Sequence, residues 1–342
     1  MTATLSPDEA RLRQLVMRYG YHSTSYQLLA PGMRHWFDTG EGAVGYVDRA
    51  RTRVVAGAPV GPVERLPALW QRFVDETTAQ GHRLCVVGAE QPFAQTLAGR
   101  GDLTLVKIGA QPVWQPAQWA ALVNAHSSLR SQVNRAQNKA VRVAEWTTSI
   151  AEMAPLQRCK SRWMAAQPLP PLHFLTEPDL LDRLLDRRLF VARQRNRVVA
   201  FLLLAPIPQR HGWLTELSVR DPDAPNGTMS LLLHRTISQL ALENAQMITL
   251  GAVPLSELGD APFAEPLPRW ASALRVATLR WGARLYNVKG LEAFKAKFHP
   301  QRWEPIYLIS YEARLSPRTL YAVAAAYSGG TPWRFAWQTL RR

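Results

Sequence analysis

Lys289, Lys295 and Lys297 cluster on the run Tyr286-Asn-Val-Lys-Gly-Leu-Glu-Ala-Phe-Lys-Ala-Lys-Phe-His-Pro300. A lysine ammonium has no free lone pair, so this group suits a polyanionic ligand and not a metal. Leu291, Phe294 and Phe298 recur at i, i+3 and i+7. That spacing predicts a helix whose apolar face fixes where each lysine points. Lys297 then points away from the face, Lys295 flanks it, and Lys289 sits at its start.

A second group lies on Trp213-Leu-Thr-Glu-Leu-Ser-Val-Arg-Asp-Pro-Asp-Ala-Pro-Asn-Gly-Thr-Met-Ser230. It reads as strand, tight turn and helix. Glu216 and Asp223 flank the turn. Either carboxylate can act as a general base or hold the ammonium of an aminoacyl substrate. The competing reading is a cap or turn-stabilising carboxylate, and for Asp223 it is the stronger one. Asn226 and Gly227 supply a backbone able to take positive φ. Thr228 is the expected cap, with Ser230 just inside the helix. N–H groups at such a helix start bind anions. Acyltransferases of the GNAT type hold a phosphate-bearing donor this way. Their Arg/Gln-x-x-Gly-x-Gly/Ala loop for coenzyme A is absent, so acetyl-CoA is not the expected donor.

A third group is a basic row. Leu129, Val133, Ala136, Ala140, Val143 and Ala144 predict one apolar helix face over 129–144. Arg135, Lys139 and Arg142 fall along one flank, offset only by Glu145. The row is either a solvated face or a rail for phosphates.

Composition bounds what these groups can meet. The 342 residues carry 41 Lys+Arg against 26 Asp+Glu, a net charge of +15. Such a balance favours nucleic acid or an anionic membrane surface; a generally basic proteome is the other explanation. Two cysteines, Cys85 and Cys159, fit a reduced cytoplasmic setting. The polar N-terminus shows no signal peptide. The longest apolar run, 198–207, falls short of the roughly 20 residues that span a bilayer. Membrane contact is therefore expected to be peripheral, with twelve tryptophans available for an interface. No histidine spacing suits a metal, and no Gly-x-Ser-x-Gly, Walker or dinucleotide pattern appears. No metal and no cofactor is expected.

The elements that must position these groups alternate. Helix 1–20 precedes strands 43–47 and 52–58, helix 66–80, strand 84–87, helix 92–98 and strand 103–108. After the basic helix come helices 150–164 and 179–186, strands 189–193, 197–206 and 212–219, and helix 228–245. Strand 247–251, helix 269–286, the lysine helix, strand 305–310 and a tail 315–342 close the chain. The fold class is α/β (α+β) with mixed sheets, and the shared order of the halves allows a duplication. The expected units are 1–122, a connecting basic helix 123–146, and 147–342.

Together these segments resemble the soluble catalytic domain of the phosphatidylglycerol lysyltransferases, the multiple-peptide-resistance lipid aminoacylases. The family's Asn-Arg-Ala basic helix is matched by Leu129-Arg-Ser-Gln-Val-Asn-Arg-Ala136. Its Asp-Leu-Met-Arg and Pro-Asp-Ala-Pro-x-Gly-x-Met-Asp are matched by Glu216-Leu-Ser-Val219 and Pro222-Asp-Ala-Pro-Asn-Gly-Thr-Met-Ser230. Leu250-Gly-Ala-Val-Pro-Leu-Ser256 and Lys289 to Pro300 match two further motifs; Ser23-Thr-Ser-Tyr26 and Gly57-Ala-Pro-Val-Gly-Pro62 also fit. Three positions depart: Glu216 for aspartate, Val219 for arginine with Arg220 next to it, and Ser230 for aspartate.

The resemblance implies tandem GNAT-like domains joined by a basic helix. It implies transfer of an amino acid from aminoacyl-tRNA to a lipid hydroxyl, most often that of phosphatidylglycerol. Glu216, Asp223, Lys289 and Lys295 would be catalytic. Asn226, Gly227, Ser230, Tyr286 and Lys297 would bind substrate. Arg130, Arg135, Lys139 and Arg142 would track the tRNA. The partners would be aminoacyl-tRNA, the anionic inner face of the cell membrane and a separate flippase, since the family's multi-span half has no counterpart in this sequence. The alternatives are an aminoacyl transferase for another lipid or a peptide, and a non-catalytic protein binding RNA or anionic membrane.

Overall fold

The computed structural model describes residues 5–147, 153–281 and 287–340. α1 (Pro7–Tyr19) starts at a capping box in which Ser6 and Glu9 satisfy each other's backbone N–H groups. β1 (Arg34–Phe37), β2 (Ala43–Arg49), β3 (Thr52–Ala56), α2 (Leu66–Ala79), β4 (Arg83–Glu90), α3 (Gln91–Leu97) and β5 (Thr104–Trp114) complete the first half. α4 (Trp119–Ala125) and α5 (Ser127–Asn138) lead to β6 (Val141–Glu145), α6 (Met153–Ala165), β7 (Arg188–Gln194), β8 (Arg197–Ile207) and β9 (Gly212–Arg220). α7 (Thr228–Leu242), β10 (Met247–Thr249), β11 (Val253–Pro254), α8 (Arg269–Trp281) and α9 (Val288–Ala296) follow. β12 (Arg302–Ser310), α10 (Pro317–Tyr327) and α11 (Pro332–Leu340) end the chain.

All strands join one mixed sheet in the order β1-β2-β3-β4-β12-β5-β10-β9-β8-β7-β6, with β11 paired to β5 off this path. The same unit occurs twice. β2 and β3 pair antiparallel, and α2 crosses to β4, parallel to β3. β8 and β9 pair antiparallel, and α7 crosses to β10, parallel to β9. This is the expected tandem GNAT-like architecture, with the halves fused edge to edge where β5 meets β10 antiparallel.

Helices cover both faces. Phe73 and Trp70 of α2 pack with Phe93 on Val55, Val86 and Tyr307, while Leu12, Val16, Ala322 and Ala326 cover the opposite face. In the second half Leu156 and Cys159 pack on Phe201, Leu203 and Val219. Across the sheet Leu129, Val133, Leu232 and Phe298 pack on Leu202 and Leu204. No helix among the described residues is long and apolar enough to cross a membrane.

Three expectations are corrected. The helix expected over 129–144 ends at Asn138; Ala140 takes φ 58, reversing the chain into β6. Val141-Arg-Val-Ala-Glu then lies extended against β7, which places Arg142 on a strand. Residues 179–186 form turns and not a helix, with Asp186 at φ 58. The unit expected over 147–342 does not close on itself. β12 inserts between β4 and β5, and α10 packs on β2 and β3. Ile306-Tyr-Leu-Ile309 is buried on both faces, as a central strand requires, but local pattern cannot say which sheet receives it.

Candidate functional site

A cavity of about 380 Å3 opens where α5, the end of β9, the start of α7 and α9 converge. Arg135, Arg220 and Lys297 line it together with Asn226, Gly227 and Ser230, and no carboxylate among the described residues does. Residues from three segments far apart in sequence thus meet at one cavity. Lys297 lies over the rings of Phe294 (4.4 Å) and Phe298 (4.8 Å), which fix its stem. Loss of solvent, and then the like charge of Arg220, lower its pKa. Arg220 donates to the Ala224 carbonyl at 2.6 Å, and no counter-charge among the described lining residues faces the two cations.

The start of α7 strengthens this. Gly227, not Thr228, is the N-cap, and no side chain caps the helix. Thr228 instead donates its hydroxyl to the Pro225 carbonyl at 2.6 Å. Helix geometry leaves the N–H groups of Met229 and Ser230 without intrahelical acceptors. Gly227 has φ +91, and a Cβ there would lie 2.2 Å from the Gln132 carbonyl oxygen of α5. Only glycine permits this turn and this approach. Gly227→Ala should lower stability by about 2 kcal/mol, from the left-handed backbone alone, with further loss from the clash; an unchanged melting temperature would contradict the packing.

Lys295 has a different place from the one expected. It falls at i+4 from Leu291, within the i, i+3, i+4, i+7 stripe, and is 6% exposed. Its ammonium donates to the carbonyls of Leu250 (2.7 Å), Gly251 (2.8 Å) and Ala252 (3.1 Å). Burial pushes its pKa down to about 7, while the three acceptors favour the charged form. Beside it Glu292 accepts from Ser256. The two motifs 250–256 and 289–300 are thus pinned together. β10 pairs with β9 only through Leu214, and the held turn 250–252 leaves the remainder of β9 without a ladder partner on that side. Thr215, on this stretch, has a buried hydroxyl with no partner. Lys295 is therefore already engaged, and replacing it would disturb the turn. Lys295→Met should cost about 2 kcal/mol, because buried carbonyls lose their donor; thermal unfolding measures it.

Glu216 is also committed. Register slips between Leu203 and Leu204, which face Leu217 and Thr215, so Glu216 is the extra residue of a bulge. Its side chain is 1% exposed and pairs bidentately with Arg187 at 2.6 and 3.1 Å. Arg187 lies over the Tyr26 ring, whose hydroxyl donates to Asp186. Asp223 pairs with Arg162 at 2.5 Å and donates its N–H to buried Asp221, which also binds Arg197. The carboxylate that accepts the turn's backbone N–H is thus that of Asp221, while that of Asp223 stays exposed beside Arg162.

Of the residues expected to track the tRNA, Arg130 caps α4 through the carbonyls of Val123 and Asn124. Lys139 is exposed at the end of α5, and Lys289 is exposed on α9. Tyr286 lies outside the described residues. Val219 is buried in the core, so β9 alternation turns Arg220 into the cavity in its stead. Arg220 and Phe294 were legible from period; Gln132 carried no signal.

A sequence model of the family described as "Phosphatidylglycerol lysyltransferase, C-terminal" matches residues 13–310. The phosphatidylglycerol lysyltransferase of Bacillus subtilis is 22% identical over 92% of this chain and 36% of its own length. A crystal structure described as the C-terminal domain of a lysylphosphatidylglycerol synthetase from Agrobacterium fabrum is 25% identical. It superposes with a TM-score of 0.79, covering 95% of this chain and 97% of that one. L-PGS from Bacillus licheniformis shares the fold at 18% identity and a TM-score of 0.75, covering 98% and 97%. The chain spans 26–36% of the length of the curated relatives it matches.

Proposed function

The chain belongs to the phosphatidylglycerol lysyltransferase C-terminal family, and on that premise we propose that it transfers an amino acid from aminoacyl-tRNA to a hydroxyl of phosphatidylglycerol. The observation that carries the reading is the carboxylate-free cavity bearing Arg135, Arg220 and Lys297 at the uncapped start of α7. It suits the phosphates at the 3′ end of a tRNA.

The reaction exchanges one ester for another. The lipid hydroxyl oxygen bonds to the aminoacyl carbonyl carbon, and the bond to the ribose oxygen breaks. The proton lost by the lipid hydroxyl ends on that ribose oxygen. The cations orient the donor, which lowers the entropic part of the barrier. The aminoacyl arm enters where β9 is freed from β10 by the Lys295 clamp, past Thr215. The Glu216–Arg187 pair holds the bulge that shapes this entry.

The acceptor is reached from a membrane face. α8 carries Arg269, Arg275 and Arg280 and no acid, and exposes Trp270, Leu274 and Val276; α11 exposes Trp333. Such helices lie in the headgroup region of anionic bilayers. Trp333→Ala should weaken binding to phosphatidylglycerol vesicles by about tenfold, from the lost apolar burial, as measured by co-sedimentation.

The deciding experiment incubates the protein with phosphatidylglycerol vesicles and tRNA charged with labelled amino acids. Label entering the organic phase supports the reading, and splitting the amino-acid mixture names the donor. Absence of organic label while tRNA remains bound would contradict it, and would direct attention to another acceptor.

A further inference from the structure

We infer that a second cleft, between β6 and α7, receives the phosphates of the RNA strand as it leaves the first cavity; this rests on the proposed use of aminoacyl-tRNA. The cleft holds about 640 Å3 and is lined by Gln137, Arg142, Glu145, Phe190, Arg235 and Gln239 among others. Arg142 comes from the edge strand and Arg235 from the helix, so two guanidinium groups reach it from separate elements. Both residues are exposed, and no carboxylate among the described residues pairs with either.

The acid in the lining does not neutralise them. Both Glu145 oxygens accept from Arg188 at 2.6 Å. Glu243 also binds Arg188. Gln137 adds an amide donor suited to phosphate and sugar oxygens, while the Gln239 amide donates to Glu243. Guanidinium forks match phosphate geometry bidentately.

The two cavities draw on the same two helices. On α7, Ser230 lines the first and Leu231 the second. On α5, Arg135 lines the first and Gln137 the second. Ser230 and Arg235 lie about 7.5 Å apart along the helix axis, at 1.5 Å per residue. Ser230 and Arg235 are also about 140° apart around α7, so an extended strand anchored at Lys297 and Arg220 would wrap around the helix from one basic cavity to the next. The exposed tryptophans that suit a bilayer are on α8 and α11, neither of which lines the cleft, whose apolar lining is Val141, Val143, Ala144, Phe190 and Leu231. That separation favours RNA over lipid here.

The test compares wild type with the Arg142→Gln/Arg235→Gln double variant. Binding of deacylated total tRNA is followed by fluorescence anisotropy across a salt series. Two lost phosphate contacts should reduce the slope of log K against log salt by about 1.4–1.8. In the transfer assay KM for aminoacyl-tRNA should rise while kcat holds. The Arg142→Lys/Arg235→Lys variant should keep most of the slope. An unchanged slope in a protein whose wild type transfers label overturns the second site alone. Weaker vesicle binding with unchanged tRNA binding assigns the cleft to membrane and overturns it too. A wild type that neither binds tRNA nor transfers label overturns this site together with the proposed function.

Discussion

Lys297→Gln is expected to lower kcat/KM for aminoacyl transfer by about 10- to 150-fold without lowering the melting temperature. A hydrogen bond to a charged group contributes roughly 1.5–3 kcal/mol, which sets that range. The stability half of the expectation follows from its neighbours. Lys297 faces Arg220 across a cavity with no carboxylate, so removing its charge relieves repulsion in the unliganded protein. A structural lysine would behave oppositely, losing stability and activity together. Lys297→Arg should restore most of the rate, since the ring faces of Phe294 and Phe298 accept a guanidinium as they do an ammonium. Adding Arg220→Gln should deepen the loss by a similar factor. Full activity in the single variant would remove the cavity from the donor site.

Glu216→Ala carries the largest expected change in stability, about 3–5 kcal/mol. The mutation leaves the Arg187 guanidinium, 2% exposed, without its partner. Desolvation, and not the attraction lost, dominates that cost. The double variant Glu216→Leu/Arg187→Met should therefore recover much of the loss in chemical unfolding. It should not recover transfer if the bulge is shaped by the pair. Recovery of both would make the pair dispensable to the site. A Glu216→Ala protein as stable as wild type would mean that water or another acid reaches Arg187, contrary to its burial.

Several residues were legible in one dimension because local period decides them. β9 alternates, so Val219 faces the core and Arg220 must face the other side. The lysine helix has Leu291, Phe294, Lys295 and Phe298 on one stripe, and a strict count of positions already buries Lys295. The turn before α7 shows its glycine and its proline, which stop one element and open the next. The duplicated order of strands and helices is local information repeated. The basic row misled because Ala140, Val143 and Ala144 fit a helical period as well as a strand's; the reversal at Ala140 decided between them.

What the sequence determined by itself was the set of chemical groups: a surplus of cations, the family's motifs, and elements of mixed type in tandem order. The partnership of each charge was decided only in three dimensions. Whether a lysine or carboxylate is free depends on groups distant in sequence: Lys295 on 250–252, Glu216 on Arg187, Asp223 on Arg162. The placement of β12 inside the first half's sheet and the meeting of Arg135, Arg220 and Lys297 at one cavity are likewise long-range. Periodicity and capping act over a few residues and leave their mark on the string. Charge pairing and strand insertion are settled by which surfaces pack, and packing is a property of the whole chain.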